Sequence, residues 1–241
     1  MTDDSGALTR GDRVTRYYRE AFAGVEVPAG SSRLQFPYVG PGYDAAARRV
    51  VFVGKAPAGW GRGPKLAGLS DSEWVQRGAE ETREFVEETV LGDKYGSSWW
   101  RQLRALADRL FPGGAGLTSV AYTNLFKACT GERNPSRELR QSLLDGTRPG
   151  WLAEELEILE PHLLVFFCRR YAGQLRLALP ELAVQERPGV PWAQGSYRGA
   201  TAFLARHPQY WRAEGPAGFD AFGGDLLRAA GLAGPGAAPR E

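Results

Sequence analysis

The sequence predicts an α/β fold: a three-layer α/β/α sandwich around a central, mostly parallel, four-stranded sheet. Four short runs are apolar without polar alternation, at 49–53, 118–126, 162–167 and 201–204. Such runs are typical of parallel strands that are buried on both faces. Segments with helical spacing of apolar residues lie between them, so strands and helices alternate along the chain, as a sheet covered on both faces requires.

The residues before the first run predict a separate lead-in. A short helix is expected over 12–22, and 27–43 is rich in Gly, Pro and Ser, which favours extended chain and turns. We therefore divide the chain into an N-terminal helix and lead-in (1–48), one α/β/α domain (49–231) and a flexible Gly/Ala/Pro tail (232–241).

Two helices are predicted between the first and second strands. Ser70-Asp71-Ser72-Glu73 resembles a capping box, and it predicts a helix to about Leu91 with a solvated acidic face. Ser97 or Ser98 is expected to cap the next helix. Its Trp99 begins an apolar stripe that indicates a core position.

The second half of the chain continues the alternation. Helices are expected around Leu152 to Leu159, at 169–179 and at 219–230, and a short strand is expected at 183–187. No internal repeat interrupts this order. The pattern therefore predicts one sheet whose loops after each parallel strand share one edge.

Composition excludes several classes of site. The 241 residues carry a formal net charge of +2, so nucleic-acid binding would have to come from a local basic patch. Two cysteines and two histidines are too few for a disulfide framework, a four-thiolate cluster or a multi-histidine metal site. We expect no metal and no cofactor. No apolar run approaches a membrane span and no signal-peptide core is present, so we expect a cytoplasmic protein without membrane contact.

A glycine-rich loop follows the first strand, from Gly54 to Gly63. Its glycines let the backbone approach a ligand, and Lys55 and Arg62 favour an anionic one. The loop lacks the Gly-Lys-Ser/Thr ending of a nucleotide P-loop and the spacing of the dinucleotide fingerprint. A tight strand-to-helix turn without a ligand explains this loop equally well.

Three motifs in order resemble the uracil-DNA glycosylase superfamily. Gly54-Lys55-Ala56-Pro57 looks like its first-strand Gly-x-x-Pro loop. The segment 122–129, with Thr123-Asn124 and Lys127, followed by 133–136 with Asn134-Pro135, is similar to the Thr-Asn-x-x-Lys region of the bacterial iron–sulfur type. Arg206-His207-Pro208 stands where the family has a His-Pro motif. The resemblance covers about 49–228.

The resemblance implies a base-excision glycosylase that flips a deaminated, uracil-like base out of DNA and hydrolyses its N-glycosidic bond. Asn124 would read the base, because an amide both donates and accepts hydrogen bonds. His207 would stabilise the anion that departs. The residues expected to bind the substrate are Gly54, Lys55, Ala56, Pro57, Trp60, Asn124 and Asn134.

The chain departs from the family pattern in two places. Lys55 and Ala56 stand where family members place Asp, Asn or Glu to orient the attacking water. The four cysteines of the iron–sulfur type are missing, and Cys129 is interpreted as an ordinary thiol. The stacking aromatic of the first loop is assigned to Trp60, with Trp74 as the second choice.

We expect the protein to be a monomer whose partner is DNA. When it is bound to DNA, it would be associated with the nucleoid. Basic residues on the three loops would converge at one sheet edge. Tyr210 and Trp211 follow the His-Pro motif, and either would serve as a wedge in the gap left by a flipped base. The residues expected to contact DNA are Arg62, Lys127, Arg133, Arg206, Tyr210 and Trp211.

Two other functions remain open from the sequence. The missing first-loop carboxylate favours a catalytically weak or inactive protein that binds a base or nucleic acid on the same fold. A nucleotide-using enzyme with phosphate on the Gly54–Gly63 loop is the third alternative. It lacks a Ser/Thr or metal-binding carboxylate after the loop.

Overall fold

The computed structural model describes residues 8–22, 33–34, 36–56, 72–92, 97–114, 116–129, 135–138 and 151–232. Their strands are β1 (Arg33–Leu34), β2 (Tyr38–Val39), β3 (Val50–Gly54), β4 (Val120–Asn124), β5 (Ala128–Cys129), β6 (Leu163–Phe166), β7 (Ala183–Glu186), β8 (Ala193–Tyr197) and β9 (Ala200–Leu204).

Seven of these strands form one mixed sheet, in the order β2-β4-β3-β6-β9-β8-β7. β4, β3, β6 and β9 are parallel to one another, whereas β2, β8 and β7 pair antiparallel with their neighbours. The predicted α/β class is confirmed, but the prediction of a four-stranded sheet is wrong. The four parallel strands are extended at both sides by strands that lack a long apolar run.

One of the strands that the sequence missed, β8, is polar at its centre and contains Gly195. A Cβ at Gly195 would lie 1.8 Å from the carbonyl oxygen of Ala183, so only glycine permits this approach of β7 to β8. The turn from β8 to β9 has two central residues, Arg198 and Gly199, with φ of 45° and 84°. Two left-handed residues suit the twist of a two-residue hairpin.

Helices cover the sheet on both faces. They are α1 (Arg10–Phe22), α2 (Ser72–Glu84), α3 (Ser98–Leu110), α4 (Trp151–Leu159), α5 (Ala172–Ala178) and α6 (Gly215–Ala229). A π-helical segment, Phe85–Leu91, continues α2, and single 3₁₀ segments occupy Leu117–Ser119, Arg169–Tyr171 and Pro208–Glu214. The Ser97 side chain accepts a hydrogen bond from the Trp100 amide, as the predicted cap requires.

Strand residues alternate between two apolar clusters. Val51 and Val53 belong to the first, which we call face one, where α1, α4 and α5 pack. Val50 and Phe52 belong to the second, called face two, where α3, α6 and the π-helical segment pack. Because successive side chains of a strand point to opposite sides of the sheet, every second residue of a strand belongs to the same face. Among the helices that the structure describes, none is both long enough and apolar enough to cross a membrane.

Candidate functional site

The described parts of the three sequence motifs lie at the carboxyl edge of the parallel strands. Gly54 and Asn124 end β3 and β4 and pair with each other in register. Beyond them, the Phe126 amide donates to the Lys55 carbonyl at 2.9 Å, which joins the first loop to the second. β9 is parallel to β6, and β6 to β3, so the chain after Leu204 that carries His207 leaves from the same edge. This edge is where open α/β sheets bind ligands.

Asn124 is buried, with 1% of its surface exposed. Its Oδ1 accepts a hydrogen bond from the Tyr122 hydroxyl at 2.9 Å. The amide lies over Gly54: a Cβ there would be 2.3 Å from Asn124 Oδ1 and 2.7 Å from the Tyr122 hydroxyl oxygen. Glycine at the end of β3 therefore makes the space that the Asn124 side chain occupies.

His207 is partly buried and stacks on Trp99, with ring centroids 4.8 Å apart and planes at 23°. Its Nδ1 accepts a hydrogen bond from the Gln209 amide at 3.3 Å. Because Nδ1 accepts, the proton of the neutral ring resides on Nε2, which is then a donor.

The pKa of His207 is lowered to about 4, first because burial penalises the charged ring and second because Lys55 is positively charged nearby. At neutral pH the imidazole is uncharged. His207 is therefore an uncharged N–H donor at neutral pH, and the positive charge of Lys55 helps to keep it uncharged.

Two aromatic side chains connect Asn124 to His207. Tyr122 donates to Asn124, and its ring packs edge-on against Trp99 at 5.7 Å. Trp99 in turn stacks on His207. The sequence placed Trp99 in the core and missed this second role. Because a crossover helix starts near the carboxyl edge of the sheet, a Trp in the first turn of α3 was the available signal.

Lys55 and Ala56, the two departures from the family pattern, are both partly buried. Lys55 Nζ lies 5.8 Å from the centroid of the Tyr171 ring. Ala56 packs against the apolar cluster of face one. The first loop therefore presents a cation, and no carboxylate, at the two positions where the sequence comparison sought a residue that orients water.

Lys127 does not face DNA, so its predicted role is wrong. Only 1% of it is exposed, and its ammonium donates to Glu155 and to the Thr123 hydroxyl. Thr123 also donates to Glu155 at 2.7 Å, and the Tyr18 hydroxyl donates to the other carboxylate oxygen. Burial lowers the pKa of Lys127, while Glu155 opposes that shift. We call these four residues the face-one network.

Trp211 is buried as well, with 3% of its surface exposed, and it is not available as a wedge. Its ring stacks parallel to Trp192 at 6.2 Å, and its Nε1 donates to the Arg206 carbonyl at 2.9 Å. Tyr210, the other predicted wedge, is 49% exposed, and Arg206 is exposed beside the same turn. Because both side chains are exposed, the prediction that Tyr210 and Arg206 contact DNA stays open.

Five predicted site residues lie outside the residues that the structure describes: Pro57, Trp60, Arg62, Arg133 and Asn134. Within the described ranges, no group of three or more His, Cys, Asp or Glu side chains is arranged to hold a metal ion. A cavity of about 380 Å³ opens between α1, β2 and α2, and none of the predicted site residues lines it.

Two comparisons with known proteins identified no relative of this chain. No protein-family model matches the chain, and a search of curated proteins finds no match.

Proposed function

We propose that this protein binds a single base flipped out of DNA and cleaves its N-glycosidic bond, with a deaminated, uracil-like base as substrate. The observation that carries the proposal is the joining of Asn124 and His207 through Tyr122 and Trp99 at one edge of the sheet. Four central parallel strands with helices on both faces, as in the three-layer arrangement expected from the sequence, support it.

Asn124 reads the base in this proposal. The buried amide is pre-organised by the hydrogen bond that its Oδ1 accepts from Tyr122, so a base that matches its donor and acceptor binds without reordering it. A base with the wrong edge leaves buried polar groups unpaired and is rejected.

His207 stabilises the leaving base. As the glycosidic bond breaks, its electron pair departs with the base, and the Nε2–H of the neutral imidazole donates to the oxygen that gains charge. One such donor contributes about 3 kcal/mol to the transition state, or a rate factor of about 100. The pKa of about 4 keeps the ring in this donor form at neutral pH.

DNA contact in this proposal falls to Tyr210 and Arg206. An exposed aromatic next to the His-Pro turn is placed to enter the gap left by the base, and a guanidinium beside it is suited to phosphate. Lys127 and Trp211 take no part in it.

A second candidate is a protein that binds the flipped base without cleaving DNA. Lys55 and Ala56 favour it, because neither side chain is an ordinary base for a water molecule. Such a protein would bind damaged DNA in preference to normal DNA and release nothing.

The test is base release under single-turnover conditions from single- and double-stranded DNA that contains uracil or hypoxanthine, with binding measured on the same DNA. We expect release by the natural protein, a loss of about 100-fold for His207→Ala and loss of release for Asn124→Ala. Gln185→Ala, on the exposed strand β7, is the control and should match the natural protein.

Selective binding without release would favour the second candidate. Neither release nor preferential binding to uracil- or hypoxanthine-containing DNA would refute both. Thermal unfolding of each variant separates loss of the site from loss of the fold.

A further inference from the structure

Thr123 and Asn124 are the last two residues of β4, and their side chains lie on opposite sides of the sheet. Asn124 is on the side of Tyr122, whose hydroxyl donates to it. Thr123 is on face one, where its hydroxyl donates to Glu155 at 2.7 Å and accepts from the Lys127 ammonium. The face-one network is therefore attached to β4 at the residue directly before the group that reads the base.

The turn that begins with Asn124 is held at several points. Lys127 donates to the hydroxyl of Thr123, four residues earlier, so a side chain at the end of the turn is bonded to the strand before it. Within the turn, the two backbone amides that follow Asn124 donate to the carbonyls of Gly54 and Lys55, each at 2.9 Å. The turn is thus fixed both through its backbone and through a buried side chain.

The ion pair of Lys127 and Glu155 is a costly means of holding this turn if stability is its only purpose. The two side chains are 1% and 0% exposed, so both charges have lost their hydration. Their attraction and hydrogen bonds offset that loss, but apolar side chains of similar volume often give equal or greater stability. An apolar pair lacks direction, whereas an ammonium and a carboxylate donate and accept along preferred angles. The ion pair is therefore suited to fixing geometry.

We propose that Lys127 and Glu155, acting through the Thr123 hydroxyl, are positioning residues that orient the Asn124 amide towards the base. This inference rests on the proposed function, and neither charged side chain touches the base in it. A displacement of about 1 Å in a group that positions a substrate costs a rate factor on the order of 100, so a network behind the strand acts on recognition without contact.

Substitutions at Thr123 separate the hydrogen bonds from the packing. Thr123→Val keeps the branched shape and removes the hydroxyl, whereas Thr123→Ser keeps the hydroxyl that connects Lys127 to Glu155. A double variant, Lys127→Met with Glu155→Gln, removes both charges and leaves Thr123 a partner. Tyr18→Phe is the matched control, because it removes a hydrogen bond from the other oxygen of the same carboxylate.

Each protein is measured in two ways, of which only one depends on DNA. The dissociation constants for uracil-containing and for normal DNA give the preference for the damaged base. The order parameter of the Asn124 side-chain amide, from ¹⁵N relaxation in NMR, gives its mobility in the free protein. Asn124→Ala assigns the signal, and thermal unfolding shows that each variant is folded.

We expect Thr123→Val and the double variant to lose at least about tenfold of the preference for uracil-containing DNA and to have a more mobile Asn124 amide. Thr123→Ser and Tyr18→Phe should keep the preference and the rigid amide, even if Tyr18→Phe unfolds at a lower temperature. Binding of normal DNA should be the same in all of them, because no phosphate contact is changed.

A preference and a rigid amide that both survive in Thr123→Val would overturn this inference and leave base recognition standing. An equal loss of preference in Tyr18→Phe would also overturn it, because the network would then act through general stability. If the natural protein does not prefer uracil-containing DNA, the proposed function fails and the NMR measurement decides alone. An amide that becomes mobile in Thr123→Val but not in Thr123→Ser would then support the positioning role, and an unchanged one would refute it.

Discussion

The two faces of the sheet hold the carboxyl edge by different physical means. On face one, β4 is fixed through Thr123 to a buried network of charge and hydroxyl groups with Tyr18, Lys127 and Glu155. On face two, the site is packed by rings, since Tyr122 contacts Trp99 and Trp99 stacks on His207. A charged network depends on every partner, whereas ring packing weakens by degrees. We therefore expect a substitution in the face-one network to cost more stability than a substitution in the ring packing beside Asn124 and His207.

The largest effect on stability should come from removing one charge from the face-one network. Glu155→Gln leaves the Lys127 ammonium buried without its counter-charge, and we expect a loss of about 3–5 kcal/mol in the free energy of unfolding. Denaturant titration measures it. Glu157→Gln on the same helix is the control: its pair with Arg198 is exposed, so the loss should stay below about 1 kcal/mol.

A loss below about 1 kcal/mol for Glu155→Gln would contradict the contrast between the faces. Adding Lys127→Met to Glu155→Gln removes the stranded charge as well. The double variant should then recover part of the stability, which would show that the cost lies in the unpaired ion.

The second effect concerns pH on face two. The pKa of folded His207 is about 4, below its usual 6.5, so the unfolded chain takes up a proton at a higher pH than the folded one. The contribution of His207 to stability is therefore complete above about pH 6.5, declines as the pH falls, and is lost below about pH 4. Its size is about 3 kcal/mol. Comparing the pH dependence of unfolding in the natural protein with that of His207→Gln isolates it from His162.

Equal pH slopes in the two proteins would show that the ring is not held neutral. Trp99→Leu sharpens the test, because it opens the stack and should move the His207 titration, followed by NMR, upwards from pH 4 towards 6.5.

The smallest effect on stability should come from adding a methyl group at Gly54, in the space that the Asn124 side chain occupies. Gly54→Ala forces Asn124 and Tyr122 to move, and we expect a loss of about 1–3 kcal/mol in stability together with weaker binding of uracil-containing DNA. In α6, a Cβ at Gly224 would meet, among the described residues and outside its own helix backbone, Arg228 NH1 alone, at 3.7 Å, so Gly224→Ala should raise stability by about 0.5–1 kcal/mol. Denaturant titration and DNA binding are measured on both variants. Unchanged DNA binding by Gly54→Ala would remove Asn124 from the base-reading role.

The sequence predicted the parts of the fold that depend on a local pattern. Continuous apolar runs indicated all four parallel strands, and the pair Ser97 and Ser98 indicated the start of α3, where Ser97 is the cap. β8 was missed because its polar residues have no apolar period and its position depends on the close approach to β7 that Gly195 permits. Such a contact is tertiary and leaves little trace in the local sequence.

The candidate site divides in the same way. The convergence of the Gly54, Asn124 and His207 loops follows from the parallel direction of their strands, which the pattern predicted. The burial of Lys127 does not, because its partner is 28 residues away in α4. A signal existed, since Glu155 is spaced with Leu152, Leu156 and Leu159 on the inward face of that helix. A carboxylate on an apolar stripe indicates a buried cation elsewhere.

Among the residues that the structure describes, β2 and β7 are the outer strands of the sheet. β2 is only two residues long, and Pro37 and Pro41, which have no N–H to donate, stand on either side of its short Tyr38–Gly40 stretch. At the opposite border, β7 is exposed and charged, and its Glu186 pairs with Arg169. Short, proline-flanked or charged borders discourage strand addition from another molecule. The described parts of these two borders therefore resist edge-to-edge pairing between molecules, the contact from which fibrous aggregates grow.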